Sequence, residues 1–536
     1  MHNEYLYPLN RIRSQLQRIL ESETFRESEK LKDFLQFVVE QTIIGKGDQL
    51  KQYTIAISAF NRGVDFDSQK DPIVRIQAGR LRLHLDRYYR VEGKNDELLI
   101  EIPKGSYIPE FSSMEKVSSK HIYHNKSLSS VPSISVFPFK NLSGIESNQY
   151  IADGFSEELI MTLSLFKHIK IIRTSKKLTN YYENKNNNGE LSKARFILDG
   201  SIRFKGSKIK IIVTLTDASN DEVVWSSDFF DTYELEKIID IQETVAQNVA
   251  ATIADVYGGI VIKKLYSETR KTTYKNIERY DAILNFYHYL RNPSAYEYNK
   301  IVFLLNEIVR KYPDFGAGYA ALADIIVNNY ALGYLTDEQG LLEQGLAYAK
   351  KGVYYDPENQ MTRTYLGYAY LINNQLEDSI QQTNYAKSLN SNSAYYIGAL
   401  GWVSALAGEW EQGMADIELS YQLNPDYPKW YHLATTLYYL KDQKFEKALE
   451  EAIKFDLPEL LWDPLLKAVT YAHLGKLGEA KKSLSSLLEL IPDFQKKPSF
   501  YLGMYIKFED IFQLVIEGLE KAGLSIKLSQ EYRKKL

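Results

Sequence analysis

In the second half of the chain, apolar stretches are interrupted at a fixed spacing by polar dipeptides that end helices. The interruptions fall at Asp356-Pro357, Asn390-Ser391 and Asn424-Pro425, in steps of 34 residues, and Pro458 and Pro492 continue the series. Because such positions stop a helix and the spacing repeats, each interval predicts one pair of helices. The pattern therefore predicts a solenoid of stacked helical pairs.

The period of 34 residues is that of the tetratricopeptide repeat. Leu366-Gly367 is followed one period later by Leu400-Gly401, where glycine lets the two helices of a unit approach closely. An earlier unit ends at Tyr312-Pro313, and the surplus after it predicts a longer helix or an inserted loop near residues 330–344. The segment EDIFQLVIEGLEKAGL has one apolar stripe and is expected to cap a solenoid spanning residues 270–526. A generic all-helical domain is the alternative.

A different alternation marks residues 132–258. SISVFPF and IKIIRTS read as strands on either side of a helix, SEELIMTLSLF, for which we expect Asp153 or Ser156 to be the cap. FILDGSIRF and IKIIVTLTDA, separated by KGSK, predict a hairpin, and VVWSSDFF predicts a further strand. A closing helix, ETVAQNVAATIADVYG, completes a small α/β domain.

Residues 10–111 predict helices followed by a hairpin. KLKDFLQFVVEQTIIG is a helix closed by Gly45, and TIAISAF is a shorter one. A third helix starts after Asp71-Pro72 and runs to about Arg90. ELLIEIPKGSYIPEF can form two strands about Lys104-Gly105. This order favours a winged helix, and the whole chain then has the fold class of a multidomain protein, α/β plus all-α.

Two resemblances extend this interpretation. The middle segment resembles the TolB-N-terminal-like domain of bacterial regulators and cyclase-associated proteins, which often stands beside tetratricopeptide repeats. The matching residues are Phe137-Pro138-Phe139, Asn141-Leu142-Ser143, Ala152-Asp153-Gly154, Glu157-Glu158-Leu159, Leu198-Asp199-Gly200-Ser201 and Trp225. The segments IVRIQAGRLRLHLDRYY and IEIPKGSYIPEF resemble the recognition helix and wing of OmpR-type domains, which also occur in the ToxR and CadC membrane regulators. Unlike those regulators, this chain has a polar linker, residues 112–131, after the winged-helix region.

The third helix of the N-terminal region is a candidate DNA-binding surface. Val74, Ala78, Leu81, Leu85 and Tyr88 share one face and should pack on the domain core. The residues expected to face outward, with Lys104 at the wing tip, are Arg75, Arg80, Arg82, His84, Arg87, Arg90 and Lys104. Guanidinium groups pair with phosphates and guanine edges, and a helix fits the major groove. The alternative is that acids pair with these cations, since residues 1–111 contain 17 Lys/Arg and 17 Asp/Glu.

The inner surface of the solenoid is a candidate peptide-binding groove. In tetratricopeptide proteins, certain positions of the first helix of each repeat line the groove, and here they select Tyr368, Tyr395, Trp402, His432 and Tyr439. These side chains predict an apolar or aromatic peptide, or an intramolecular element, as the ligand. The alternative is that they pack between adjacent repeats.

Composition and motifs argue against an enzyme. The net charge of −4 gives no general attraction to nucleic acid or lipid, and the absence of cysteine excludes thiolate metal sites and thiol nucleophiles. His121 and His124 are spaced for a metal but have no third ligand nearby. No phosphate-binding GxxxxGK[ST], GxSxG or HExxH motif is present.

These observations lead us to expect no catalytic residue, metal or cofactor, and no membrane partner. The predicted function is that of a cytoplasmic transcriptional regulator with DNA and protein partners. The alternative is a scaffold or adaptor that does not bind DNA. A nucleotide cyclase is disfavoured because catalytic residues are missing, and the oligomeric state stays open.

Overall fold

The computed structural model describes residues 9–26, 28–63, 66–67, 71, 73–113, 131–173, 194–269, 278–334 and 340–525. The linker residues 114–130, which include His121 and His124, lie outside the described residues. Within the described part of the chain, every helix is too short or too polar to serve as a membrane-spanning segment.

The N-terminal region contains four helices and a hairpin. The helices are α1 (Leu9–Glu21), α2 (Glu29–Ile43), α3 (Gln52–Phe60) and α4 (Ile73–Val91), and the strands are β1 (Leu98–Glu101) and β2 (Glu110–Ser113). The Asp71 carboxylate accepts a hydrogen bond from the backbone N–H of Ile73 at 3.0 Å, which supports the predicted start of α4. Gly45 adopts a φ of 78° just after α2, as its predicted role in ending that helix requires. The structure adds α1, which the sequence pattern did not predict.

The middle region is a sheet with helices against one face. Its strands are β3 (Ser133–Val136), β4 (Lys140–Asn141), β5 (Lys170–Arg173), β6 (Phe196–Lys205), β7 (Lys208–Asp217) and β8 (Glu222–Thr232). The order is β5-β3-β6-β7-β8; β3 runs parallel to β5 and β6, and the last three strands are antiparallel neighbours. The β6–β7 hairpin turns at Gly206, with a φ of 60°. This arrangement contains the predicted strand–helix–strand unit and hairpin.

Three helices belong to this middle region: α5 (Gln149–Ser164), α6 (Ile238–Ala254) and α7 (Ile260–Thr269). The predicted cap of α5 is wrong, because the helix begins before both candidate residues. Asp153 instead accepts a hydrogen bond from Gln149 within the first turns, at 3.0 Å. The Ser156 hydroxyl accepts from the backbone N–H of Phe139 at 2.8 Å and so ties the helix to the loop after β3.

The C-terminal region is a series of antiparallel helical pairs. The pairs are α8 (Arg279–Arg291) with α9 (Ala295–Lys311), α10 (Gly316–Ala331) with α11 (Leu341–Tyr355), α12 (Gln360–Ile372) with α13 (Leu376–Leu389), α14 (Ala394–Leu406) with α15 (Trp410–Leu423), α16 (His432–Lys441) with α17 (Phe445–Phe455), and α18 (Trp462–His473) with α19 (Leu477–Leu490). The first helices of two successive pairs start at Gln360 and Ala394, 34 residues apart, as the period predicts. The chain therefore has a helical, repeat-like C-terminal part of the tetratricopeptide kind.

Close packing inside one pair explains a predicted glycine. A Cβ atom on Gly401 would lie 2.7 Å from the carbonyl oxygen of Gly413 on the facing helix. Only glycine permits that approach, because a methyl group would press against backbone. Two further helices, α20 (Pro498–Gly503) and α21 (Glu509–Lys521), follow the last pair. Gly518 of α21 approaches Val469 of α18, so α21 covers the end of the solenoid as expected.

Candidate functional site

Helix α4 of the N-terminal region lies against the solenoid and contacts both ends of it. Its last turns meet the first helical pairs, where the Asn299 side-chain amide donates to the carbonyl of Tyr89 at 3.2 Å. Its middle meets the last pair, where Arg80 donates to the Ser486 hydroxyl at 3.3 Å. Between them, Leu83 is buried in the apolar core of the solenoid. The helix predicted to face DNA is therefore an intramolecular ligand of the repeats.

Arg90 is the most enclosed cation of this contact, with a relative exposure of 6%. Its guanidinium donates to Asp86 of the same helix at 2.6 Å and to the Asn329 side-chain oxygen of α10 at 2.8 Å. The rings of Tyr298 and Tyr334 have their centroids 4.6 and 5.0 Å from its central carbon. Burial lowers the pKa of Arg90, but Asp86, Tyr289 and Tyr334 together outweigh burial, so the pKa is raised overall and the charge is kept.

Two further cations hold the helix and its hairpin to the solenoid. The Arg80 side chain, 11% exposed, forms an ion pair with Glu489 of α19, and burial lowers its pKa. Lys104 at the tip of the hairpin lies 3.1 Å from Glu459, but its side chain is 83% exposed. Solvent screens such an exposed pair, so Lys104 orients the contact more than it stabilises it.

Arg82 and His84 have structural roles inside the N-terminal region. The Arg82 guanidinium donates to three backbone carbonyls of the hairpin, those of Ile102, Pro103 and Ser106, at 2.8 to 3.1 Å. His84 is buried, and its Nδ1 donates to the carbonyl of Arg80 at 3.0 Å. Burial lowers the pKa of His84 to about 4, so the ring is neutral at physiological pH. Arg82 therefore fixes the hairpin to α4.

The prediction that all the α4 cations face outward is wrong in part. Arg80, His84 and Arg90 are enclosed, Arg87 is half-buried, and Arg75 is exposed on the first turn of the helix. Helical periodicity correctly separated the face packed on the N-terminal core from the opposite face. It carried no information on what covers that opposite face, because the covering residues lie hundreds of positions away in the chain.

The predicted peptide groove is closed in a similar way. Tyr368, Tyr395, Trp402 and His432 are buried, and Tyr439 is half-buried. The open surface expected at these positions is therefore closed at four of them and reduced at Tyr439. Three kinds of neighbour cover it: the segment after α20, the end of the middle region, and side chains of the adjacent repeats.

Tyr505, which follows α20, enters the aromatic face of the solenoid. Its hydroxyl lies 3.2 Å from that of Tyr368, and its ring centroid lies 5.0 Å from that of Trp402 and 5.3 Å from that of Trp462. Aromatic edge-to-face contacts of this kind add to the apolar burial. Tyr505 thus occupies the place expected for an aromatic side chain of a peptide.

The middle region covers the next repeat. Tyr257 stacks on Tyr395 with ring centroids 5.5 Å apart, and the Asp255 carboxylate accepts from the backbone N–H of Tyr395 at 3.0 Å. His432, in contrast, packs within the repeats, with its Nδ1 2.7 Å from the Glu451 carboxylate. The middle region is thereby joined to the start of α14 through a buried carboxylate.

Sequence reasoning missed the residues that receive α4. Tyr298, Asn329, Tyr334 and Glu489 carry no motif, and they are separated from α4 by more than two hundred positions. A pattern along the chain cannot bring such residues together. Within the described residues, no group of three or more histidine or acidic side chains is placed to hold a metal ion.

Comparison with known proteins gives limited guidance. No protein-family model matches the chain. A curated relative, "Putative adenylate cyclase 3" from Rhizobium meliloti (strain 1021), is 23% identical over 229 residues, which is 41% of this chain and 37% of that protein. The chain thus spans little more than a third of the relative's length. The crystal structure of yeast Tom70 is matched over 98% of this chain and 84% of its own, at 11% identity and a TM-score of 0.27.

Proposed function

We propose that this chain is a non-enzymatic protein-interaction scaffold whose solenoid binds arginine-bearing helices, and that α4 of its own N-terminal region occupies that site in the closed state described here. The observation that carries the proposal is the enclosure of Arg90 between Asn329 and the rings of Tyr298 and Tyr334. A solenoid is suited to this role because stacked repeats present an extended inner surface.

The chemistry of the contact defines the partner. A guanidinium is weakly hydrated and planar, so it can stack on aromatic faces while it donates to an oxygen acceptor. Leu83, about two turns before Arg90, supplies an apolar anchor. A competing partner is expected to present the same features: an amphipathic helix with an apolar residue followed, about two turns later, by an arginine.

The closed state competes with such a partner because both parts belong to one chain. Intramolecular contacts act at effective concentrations of the order of millimolar for short flexible connections. A free helix therefore binds only if its affinity or concentration is high enough to displace α4, or if α4 has already left the site. The exposed pair between Lys104 and Glu459 and the single ion pair of Arg80 are the contacts that solution conditions weaken first.

A fluorescent peptide with the sequence of residues 73–91 tests the proposal on the full chain by anisotropy. The wild-type chain is expected to bind it weakly, because α4 occupies the site. The double variant Arg80→Ala with Arg90→Ala is expected to bind it at least tenfold more tightly, since α4 is released while the solenoid is unchanged. A peptide carrying Arg90→Ala is the control ligand and should lose most of the gain.

Opening is followed independently by distance measurement. The chain contains no cysteine, so spin labels can be placed at Lys94→Cys and Lys482→Cys, two exposed positions on the two partners. The double variant should broaden and lengthen the label distance, whereas Arg87→Ala, which removes an arginine that makes no hydrogen bond or ion pair with a described residue of the solenoid, should leave it unchanged. Peptide binding that is equal in the closed and opened chains contradicts the proposal.

DNA binding is the second candidate, for the opened state. The observation in its favour is that Arg82 fixes the hairpin to α4, as a helix with a wing requires. The solenoid-side variant Asn329→Ala with Glu489→Gln releases α4 and keeps every arginine. It is expected to bind duplex DNA with a log–log salt slope near −4, for about four to five phosphates, while the wild-type chain binds weakly. If the affinity of the opened variant for duplex DNA does not depend on salt, the DNA-binding proposal is wrong.

A further inference from the structure

A cavity of about 640 Å³ lies at the junction between the middle region and the first helical pairs of the solenoid. Residues 165–168, just after α5, form one side, and the first helices of the first four pairs form the other. Its volume falls in the range of small-molecule sites, which commonly form where two domains meet. The position suits a ligand that contacts both regions at once.

The walls of the cavity are largely aromatic. They include Phe166 from the middle region and Tyr280, Tyr287, Phe315 and Tyr396 from the solenoid. Phe166, Tyr280, Tyr287 and Tyr396 are buried among core residues of both regions, so the faces that line the cavity are held in place. A rigid aromatic wall favours a flat, apolar ligand body, which it can contact by stacking or edge-to-face packing.

Two hydroxyl groups in this wall lack a hydrogen-bond partner among the described residues, those of Tyr280 and Tyr396. Their relative exposures are 6% and 4%, so bulk water does not satisfy them. The Tyr287 hydroxyl donates to the Met361 sulfur at 4.0 Å and lies close enough to the Tyr396 hydroxyl for each group to shift the pKa of the other. The Tyr280 and Tyr396 oxygens are also closed off from the cavity, so the wall presents ring faces and edges to a ligand and not hydroxyl groups.

The charged groups at the cavity have ion-pair or hydrogen-bond partners, with one exception in the described part of the chain. Arg279 pairs with Asp314 at 2.9 Å, and Glu278 accepts from Lys311 at 3.2 Å. Asp356 accepts from the side-chain amide of Asn359, and Glu358 accepts from the Tyr385 hydroxyl, both at 2.8 Å. The exposed Lys167, in contrast, forms no ion pair or hydrogen bond with a described residue.

The remaining basic group near Lys167 adds no charge. His168 donates from Nε2 to the carbonyl of Ala254 at 2.7 Å, and burial lowers its pKa to about 4. The ring is therefore neutral at physiological pH and is fixed by its hydrogen bond. The available positive charge of the cavity is concentrated at Lys167.

We propose that this cavity binds a small aromatic molecule carrying one anionic group. The aromatic body lies against the tyrosine and phenylalanine wall, and its anionic group pairs with Lys167. Such a ligand bridges the middle region and the solenoid. This inference is independent of the binding of α4, because none of the residues involved contacts that helix.

The probe for the test is 8-anilinonaphthalene-1-sulfonate, an aromatic sulfonate whose fluorescence rises in apolar surroundings. The full chain is expected to bind it at one principal site. Lys167→Gln should weaken binding about three- to fivefold, since a charge-assisted bond to an exposed lysine is lost. Lys170→Gln, the same change at an exposed lysine of β5 that does not line the cavity, should leave the affinity unchanged.

Two variants test the cavity walls. Ile283→Trp fills part of the cavity and should abolish the principal site, while Tyr280→Phe with Tyr396→Phe removes only hydroxyls that are closed off from the cavity and should leave the affinity unchanged. Thermal unfolding of each variant without the probe shows whether it folds. Because the Phe variants remove unsatisfied groups, their midpoints should not fall, and they serve as the folded control for Ile283→Trp.

The outcomes divide cleanly. A selective loss of binding in the Lys167 and Ile283 variants supports the proposal. Wild-type affinity in both variants places the probe elsewhere on the chain and overturns it, as does the absence of any saturable binding by the wild-type chain.

Discussion

The solenoid contacts the rest of the chain at two places. Buried polar groups have hydrogen-bond partners at one of them and lack partners at the other. At the α4 contact, the Arg90 guanidinium has a carboxylate, an amide oxygen and two aromatic faces around it. At the junction cavity, Tyr280 and Tyr396 bury hydroxyls that have no partner among the described residues. Because an unpaired buried group costs free energy, the comparison separates an interface whose polar groups are satisfied from one that leaves polar groups unpaired.

Removal of Arg90 should give the largest effect. Arg90→Ala leaves the Asp86 carboxylate in a mostly buried position without its cation, and breaking a buried pair in this way costs about 3–5 kcal/mol. We expect the first transition in urea, followed by tryptophan and tyrosine fluorescence, to move to lower concentration. Arg87→Ala on the same helix should change the free energy of unfolding by less than about 0.5 kcal/mol. Equal shifts in the two variants would show that Arg90 stabilises the contact no more than Arg87 does.

Asp324 of α10 is a buried carboxyl group without a counter-ion among the described residues, and its effect on the stability of the fold depends on pH. It has no ion pair with a described residue, and burial raises its pKa to about 7. Since the folded pKa exceeds the unfolded value, the folded state holds the proton more tightly. Stability therefore falls as the pH rises from about 4 to about 7 and stays low above that range.

Asp324→Asn removes this dependence and should stabilise the chain at pH 8 by about 2–4 kcal/mol relative to the wild type, with little difference at pH 4. Urea unfolding at the two pH values measures the difference. If the difference in the free energy of unfolding between the wild type and Asp324→Asn is the same at pH 8 and pH 4, the pKa of Asp324 is not raised in the folded state and this prediction is wrong.

Tyr280→Phe should produce a smaller effect of the opposite sign to Arg90→Ala. The substitution removes a buried hydroxyl without a partner and keeps the ring, so we expect a gain of about 1 kcal/mol in the free energy of unfolding. Tyr431→Phe is the matched control, because its hydroxyl donates to the carbonyl of Tyr395 at 2.7 Å. That variant should lose stability, and a loss of similar size in both would indicate that Tyr280 has a partner in solution.

Lys104→Ala should have the smallest effect. Its ion pair with Glu459 is largely exposed, and pairs of this kind contribute about 0–1 kcal/mol. The loss should vanish at high salt, because the interaction of exposed charges is screened over about 3 Å at 1 M ionic strength. Urea titrations at low and high salt test this, and a salt-independent loss above about 1 kcal/mol would mean that the hairpin tip has a second contact with the solenoid.

The fold was predictable to the extent that it depends on short-range patterns. The helix-ending dipeptides located the helical pairs, and Gly401 was assigned a close approach that its position opposite Gly413 explains. The strand pattern located the hairpin of β6 and β7. The first helix, α1, escaped because its polar residues conceal a narrow apolar stripe, and the cap of α5 was placed too late because Asp153 lies within the helix.

The sequence predicted which residues form the candidate site, but it did not predict which residues pack against them. The sequence identified α4 as a helix with one apolar and one arginine-rich face, and it identified an aromatic row on the first helices of the repeats. Both faces turned out to be covered, by Asn329 and Tyr334 in one case and by Tyr505 and Tyr257 in the other. These neighbours are distant in sequence and carry no motif.

The amino-acid sequence alone determined which segments are helices or strands and which side chains share a face, because backbone preferences and periodicity act over a few residues. Only the tertiary structure decided which of those faces meet solvent. It placed the arginines of α4 inside the molecule and left the tyrosine hydroxyls of the junction cavity unpaired. Burial is set by contacts between distant parts of the chain, and no local pattern contains that information.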